Sequence, residues 1–261
     1  MTFVHNSKVS IHKGLLQSSM NATRAAPKKL LLIGGLDPSG GAGLLADIQT
    51  VAAAGEQSKA LCTLLTAQSL SQWTDAWPVA PQTLRTQIQS LRQDPAPAAI
   101  KIGALGGEAQ AELVADLLQH WRQETPQLPV ILDPVLRSSS GGALGDLPAV
   151  QKLLPLRPWL CPNQAEAHLL SGLVGSDACW QLITDAPGGA QLRGPEGQQS
   201  DYAYERLPAE WRGTGCTLAS LWAVAAARGL DASSAAAWAL AALQSWLHAS
   251  APPCIHREPL P

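Results

Sequence analysis

The chain has 261 residues, of which 46% are apolar, and its 18 basic and 20 acidic residues leave a net charge of −2. That length fits one large α/β domain, and the apolar share suffices for a sizeable core. The near-neutral balance argues against a general nucleic-acid or membrane-surface binder, which would carry a basic excess, and no apolar run reaches the roughly 18 residues of a membrane span.

Residues 1–29 are polar, carry five Lys or Arg and no acid, and lack the apolar stretch of a secretory signal. They read as a disordered tail or as a start set too early, with Met20 as the later candidate. "KKLLLIGG" is a buried strand. "GLLADIQTVAAAG" has helical spacing and stops at Gly55, a C-cap residue type. "ALCTLLTAQ" is a second strand, "PQTLRTQIQSLRQ" an amphipathic helix and "AAIKIGAL" a third strand. The helix "EAQAELVADLLQHWRQ" leads to a fourth strand, "LPVILDPVL", which breaks at Pro134. "RSSSGGALGD" is a flexible loop, "AVQKLLPL" a short helix, "PWLCPN" a strand end, "QAEAHLLSG" a helix and "CWQLITD" a strand. Two Ala-rich helices, "GTGCTLASLWAVAAARG" and "ASSAAAWALAALQSWLHAS", close the series. Strands alternating with helices indicate parallel βαβ units in a layered α/β sheet. Residues 30–250 therefore read as a single domain, with 251–261 as a proline-rich tail.

Five scattered cysteines with no C-x-x-C pair fit neither a disulfide frame nor a zinc site, which points to a reducing, cytoplasmic setting. No histidine stands at metal-ligand spacing.

Two glycine stretches stand out. "GGLDPSGGAG", Gly34–Gly43, lies at the carboxyl end of a strand, where open parallel sheets bind ligands and glycine lets the backbone approach closely. It is not a P-loop, since no G-K-[ST] follows. "RGTGCTLASL" opens a helix with Gly213, Thr214, Gly215 and Cys216, whose free N–H groups and positive dipole end suit a phosphate in transfer. The same field would lower the Cys216 thiol pKa; a small buried core cysteine is the equal alternative.

In chain order the sequence carries "DPSGGAG-x-x-AD", "LTAQ", "KIG-x-L", "DPV", "PN-x-x-EA" and "GTGCTLAS". Together these resemble the hydroxymethylpyrimidine/phosphomethylpyrimidine kinases of thiamine biosynthesis, from about Leu30 to about Gly229. The resemblance implies a ribokinase-like three-layer αβα fold with a mostly parallel central sheet. Sugar and adenosine kinases of that fold usually carry aspartate at the position of Cys216; pyridoxal kinases are the nearest rival.

The resemblance implies ATP and Mg²⁺ as cofactors and two successive phosphorylations, of 4-amino-5-hydroxymethyl-2-methylpyrimidine and of its monophosphate. It places Gln68 on the pyrimidine, where a primary amide can donate and accept at once. Ala42, Thr66, Ala104, Val135 and Asp47 fall on the other pocket positions. A helix-surface carboxylate is the plainer reading of Asp47. Asn163, Glu166 and Asp133 would serve the nucleotide phosphates, and Glu166 and Asp133 the metal; a helix cap by Asn163 and Glu166 is compatible with that. Cys216, with Gly213, Thr214 and Gly215, would be catalytic, as a base or as part of an anion hole. Lys101 matches a family lysine, but an ordinary surface lysine weighs nearly as much. The Ser/Gly loop reads as a lid or as a plain surface loop. The partners implied are a small pyrimidine, ATP and a second copy in a homodimer, with neither nucleic acid nor membrane.

Four departures stand against the pattern. The helix after "PNQAEAHLLSG" is shortened or absent and "TDAPGG" replaces a "KGGH"-like turn, which puts nucleotide affinity in question. Ala104 stands where a methionine usually packs on the pyrimidine, a loss of about 2–3 kcal/mol for a buried side chain. Leu45 replaces a glutamine and Arg212 a histidine, and the added guanidinium suits a phosphate site. A diverged, non-catalytic pyrimidine binder is therefore the alternative to an active kinase.

Overall fold

The computed structural model describes residues 6–9, 26–137, 142–174, 179–204, 211–249 and 256–257. In chain order these form strands β1 (Asn6–Val9) and β2 (Lys29–Leu36), helix α1 (Gly43–Ala53), β3 (Gln57–Gln68), β4 (Trp73–Pro78) and α2 (Pro81–Leu91). Next come β5 (Ala99–Ile102), α3 (Glu108–Glu124), β6 (Val130–Leu132), α4 (Leu147–Leu153), β7 (Trp159–Leu160) and α5 (Gln164–Leu170). The chain continues through β8 (Gln181–Ala186), β9 (Gly189–Arg193), β10 (Gln199–Ala203), β11 (Trp211–Arg212), α6 (Thr214–Ala227), α7 (Ala232–His248) and β12 (His256–Arg257).

Ten strands make one sheet in the order β1-β10-β9-β8-β7-β6-β5-β2-β3-β4. Pairing is parallel from β3 through β2, β5, β6 and β7 to β8, and antiparallel at β3–β4, β8–β9 and β9–β10. The side chains of β2 show why the sheet sits in the middle. Leu30 and Leu32 pack into one core with α1, α6 and α7, and Leu31 and Ile33 into a second core with α2, α3 and α4. A parallel strand covered on both faces reads as a continuous apolar run, and residues 30–33 are fully buried. The result is a three-layer αβα fold. The Ala and Trp stripes of the last two helices are core: Trp222 is fully buried, donates from Nε1 to the Ala232 carbonyl at 3.1 Å, and lies 5.3 Å from the Trp159 ring.

Strands β4, β9 and β10 escaped the sequence reading. Each is antiparallel to its neighbour in β3, β8 or β9 and carries polar residues, as in "GAQLR" and "QSDYA", that break a continuous apolar run. Asn6–Val9, inside the stretch read as a tail, runs parallel to β10, and His256–Arg257 pairs with Trp211–Arg212. Met20 and positions 138–141 of the Ser/Gly loop lie outside the described residues. Among the described residues no helix is long and apolar enough to cross a membrane.

The strand order reverses at β2, which has β3 on one side and β5 on the other. Beyond the carboxyl ends of these strands lies the crevice where open α/β sheets bind ligands.

Candidate active site

A cavity of about 1120 Å³ occupies that crevice. Every residue singled out for the site lines it: Gln68, Ala42, Thr66, Ala104, Val135 and Asp47 on the pyrimidine side, Asn163, Glu166 and Asp133 beyond, and Gly213, Thr214, Gly215 and Cys216 between them.

The first glycine stretch forms one wall. After β2 the Asp37 carboxylate accepts the Ser39 N–H at 2.8 Å and the Ser39 hydroxyl at 2.7 Å, which turns the chain over the strand end. Gly43 then opens α1 at φ 60°, where a Cβ would overlap the Gly35 carbonyl oxygen. Only glycine fits there. The close approach aims the Gly43 N–H at the Cys216 sulfur and so ties the two glycine stretches together.

Cys216 sits in the first turn of α6. Gly213 caps that helix in the left-handed region at φ 79°, and no side chain caps it. The first-turn N–H groups are thus available to an anion. The thiol departs from the sequence expectation. It is pushed up to about 12, first by burial and then by the carboxylates of Asp133 and Asp47; Lys101 and the Gly43 N–H oppose this. Loss of water outweighs the helix field, so the resting thiol is protonated.

Beneath Cys216 lies a buried charged floor. Lys101, in the middle of β5, is fully buried, and its ammonium lies 2.9 Å from Asp47 Oδ2 and 3.5 Å from Asp133 Oδ2. Ser220 Oγ donates to Asp47 Oδ1 at 2.8 Å. Neither Asp47 nor Lys101 is a surface residue, which corrects the plainer reading of both. Burial disfavours the Lys101 ammonium, but the carboxylates of Asp47 and Asp133 outweigh it and hold it protonated. Asp133 accepts from the Cys216 thiol, yet its Oδ2 is buried without a hydrogen-bond partner. The sequence signal for Lys101 was there to see: a cation between Ile100 and Ile102 in a four-residue strand with no exposed position.

The pyrimidine-side wall is fixed by hydroxyls. Thr66 Oγ1 donates to the Leu36 carbonyl at 3.0 Å, and Gln68 Nε2 donates to Thr66 Oγ1 at 3.1 Å. The β3–β4 register shifts between Ala67 and Gln68, which re-aims the carboxamide. Thr63 Oγ1 donates to the Ala104 carbonyl at 2.6 Å and fixes the turn after β5.

At the other end Asn163 and Glu166 form a full capping box on α5. Asn163 Oδ1 accepts the Glu166 N–H at 2.9 Å and Glu166 Oε2 accepts the Asn163 N–H at 3.0 Å. The cap and the site position thus coexist. Burial and then the Asp133 charge raise Glu166 to about 7, against bonds from the Asn163 and Leu136 backbone. Two carboxylates that repel each other across a cavity are a donor set that fits a hard divalent cation keeping most of its waters. Among the described residues no three Asp, Glu, His or Cys cluster at ligand distance. The far wall includes Thr184 and Asp185 of the "TDAPGG" turn, and adds residues outside the matched motifs: Tyr204 and Trp211, with Leu243 and Leu247 of α7.

Comparison with known proteins gives a consistent result. The model of a family described as Phosphomethylpyrimidine kinase matches residues 37–181. A hydroxymethylpyrimidine/phosphomethylpyrimidine kinase of Haemophilus influenzae is 36% identical over 150 residues, 56% of this chain and 54% of that protein. The chain therefore spans about half the length of that relative. The Synechococcus elongatus protein of the same name is 32% identical over 231 residues, 79% of this chain and 86% of its own. Among solved structures, phosphomethylpyrimidine kinase from Clostridium difficile 630 superposes with a TM-score of 0.69 at 23% identity, covering 84% of this chain and 99% of that one. The ADP complex of Bacillus subtilis pyridoxal kinase gives 0.67 at 23%, covering 87% and 92%. At those identities the structures bear on the fold.

Proposed function

The chain belongs to the phosphomethylpyrimidine kinase family, and from that premise we propose that it phosphorylates 4-amino-5-hydroxymethyl-2-methylpyrimidine and then its monophosphate, with ATP as donor. The observation that carries this reading is the convergence of Gln68, Asp133 and the Gly213–Cys216 helix start on one cavity.

Gln68, oriented by Thr66, takes the aminopyrimidine edge as donor and acceptor together. Ala42, Ala104 and Val135 close around the ring. The hydroxymethyl group then points to Cys216, and the transferred phosphoryl lies against the first-turn N–H groups of α6. Phosphoryl transfer through a loose transition state asks mainly for position and charge neutralisation. A thiol that rests protonated favours the anion-hole role of Cys216 over the base role, and the hydroxyl proton leaves late in such a transition state. In the second step the nucleophile is already anionic. Asp133 and Glu166 would hold Mg²⁺, which when bound offsets phosphate charge. Arg212 adds a cation beside the same helix start, where the family has histidine.

The cytoplasm, where pyrimidine and ATP meet, is the setting this reading requires. A homodimer is its assembly: the open edge strand β4 and its neighbour carry the exposed cross-strand pair Leu65 and Trp77. Sedimentation of the parent and of Trp77→Glu tests the dimer, and a monomeric parent removes it.

The functional test is ATP consumption with phosphorus NMR of products, offering hydroxymethylpyrimidine and pyridoxal side by side with Mg²⁺. Pyrimidine mono- and diphosphate are expected. Pyridoxal phosphate alone moves the assignment to a pyridoxal kinase. Saturable pyrimidine binding without turnover identifies a non-catalytic relative.

A further inference from the structure

Burying an ammonium at the centre of a sheet is costly, and an apolar pair of the same volume would be no less stable. One carboxylate would suffice to neutralise Lys101, and Asp47 already does so at 2.9 Å with its other oxygen closed by Ser220. The cation nevertheless faces a second carboxylate, Asp133, at 3.5 Å. The geometry of that second approach is specific. Asp133 follows β6, its N–H bonded to the Ile102 carbonyl of β5 at 2.8 Å, and the Val135 N–H closes back on the Asp133 carbonyl at 2.8 Å. Gly103 leaves room for the ammonium, since a Cβ there would stand 3.1 Å from Nζ. Asp47 has each oxygen already bonded and a side chain only 1% exposed, so its carboxylate is turned to Lys101 and Ser220.

We propose that Lys101 is a positioning residue for phosphoryl transfer: anchored by Asp47 and Ser220, it holds the Asp133 carboxylate against the Cys216 thiol and the cavity. Asp47 then acts beneath the ligand and not upon it. The inference rests on the kinase reading given above. It explains why the chain keeps a buried cation between two strands: without it, Asp47 and Asp133 would be two like charges in one dry site, and Asp133 would rotate or neutralise. It also explains why three elements, α1, β5 and α6, meet at a single charge.

The test is a double-mutant cycle on kcat with Lys101→Met, Asp133→Asn and the double variant, alongside KM for hydroxymethylpyrimidine and thermal midpoints. Lys101→Met is expected to lower kcat by about thirtyfold, as a misplaced active-site group does, with pyrimidine KM within about threefold of the parent. The double variant is expected to be no slower than Asp133→Asn alone, because Lys101 acts through Asp133. If the two losses multiply, or if folded Lys101→Met keeps kcat within about threefold, Lys101 is a structural ion-pair partner and the proposal falls. Should Lys101→Met not fold, Asp47→Asn, which adds no volume and keeps an oxygen for the ammonium, replaces it in the same cycle. The same criterion applies there: no added loss on Asp133→Asn supports positioning, and multiplication overturns it. A parent without turnover is seen before any variant is made and sinks the kinase reading, whereas an active parent with multiplying losses sinks this inference alone.

Discussion

The two ends of the cavity are built by different means. At the Thr66–Gln68 end, proposed above to take the pyrimidine, polar side chains are locked by buried partners: Thr63 on Ala104, Thr66 on Leu36, Lys101 on Asp47, and Ser220 on Asp47. At the far end the wall is a capping box, a β8–β9 hairpin with Asp185 at φ 58°, and apolar side chains from α7. The family match covers residues 37–181, which takes in β3, Asp133 and the α5 capping box and stops where β8 begins. Reading a small heterocycle demands particular donors and acceptors at fixed points. Holding a larger ligand by backbone and apolar contact can be met by many sequences.

The sharpest way to break that contrast is at the junction of the two ends, Cys216. On the proposed mechanism, Cys216→Ala is expected to lower kcat by about a hundredfold or more, with the thermal midpoint nearly unchanged, because the sulfur lines the cavity at the helix start. Near-normal turnover would leave the Gly213–Gly215 backbone as the whole anion hole and remove the side chain from the chemistry.

Glu166 sharpens the contrast from the far end. Its carboxyl, ordinarily near 4.5, sits at about 7 in the fold. Between pH 7 and 4.5 the folded chain therefore binds a proton that the unfolded chain does not, so stability rises as pH falls through that window and is lowest above pH 7. The full shift corresponds to about 3 kcal/mol, and screening at a half-buried group reduces this to about 2 kcal/mol. Glu166→Gln keeps a capping-box residue type and should flatten the pH dependence. Thermal midpoints at pH 5 and pH 8 in metal-free buffer measure it. Added Mg²⁺ at pH 8 should raise the parent's midpoint more than the variant's. Equal pH slopes in both proteins would leave Glu166 as a cap alone.

These residues also show what was legible in the sequence. The long buried elements were, because continuous apolar runs such as "LLLI" and 3.6-residue periodicity reflect burial directly. The glycine stretches were, because Gly43 and Gly213 occupy conformations that other residues enter at a cost. The burial and pairing of Lys101 and Asp47 are not legible, since whether a charge is buried depends on its partner, and their separation of 54 positions hides the pair from any local pattern; Asp47 comes to the cavity through the resemblance alone. The sequence leaves Cys216 open between a helix-start thiol and a small buried cysteine for a related reason: the helix start is local and visible, while the desolvation that raises the thiol comes from elements distant in sequence. The edge strands were missed because their polar faces meet solvent.

Gln68 tests the proposed pyrimidine end through a single side chain. Its Nε2 donates to Thr66 Oγ1 at 3.1 Å, and Thr66 is itself fixed on the Leu36 carbonyl. The carboxamide thus stands in one orientation before any ligand arrives, and truncation removes recognition without disturbing the strand. Gln68→Ala should raise KM for hydroxymethylpyrimidine by about tenfold, the value of one net hydrogen bond near 1.4 kcal/mol. KM for ATP should stay within about twofold, because the nucleotide lies at the other end of the cavity. Gln68→Glu keeps the acceptor and loses the donor, so it should fall below the parent by a similar factor and titrate with the carboxylate. Equal losses for both ligands would mean that Gln68 holds the end of β3 in place and that the two ends of the cavity are mechanically one.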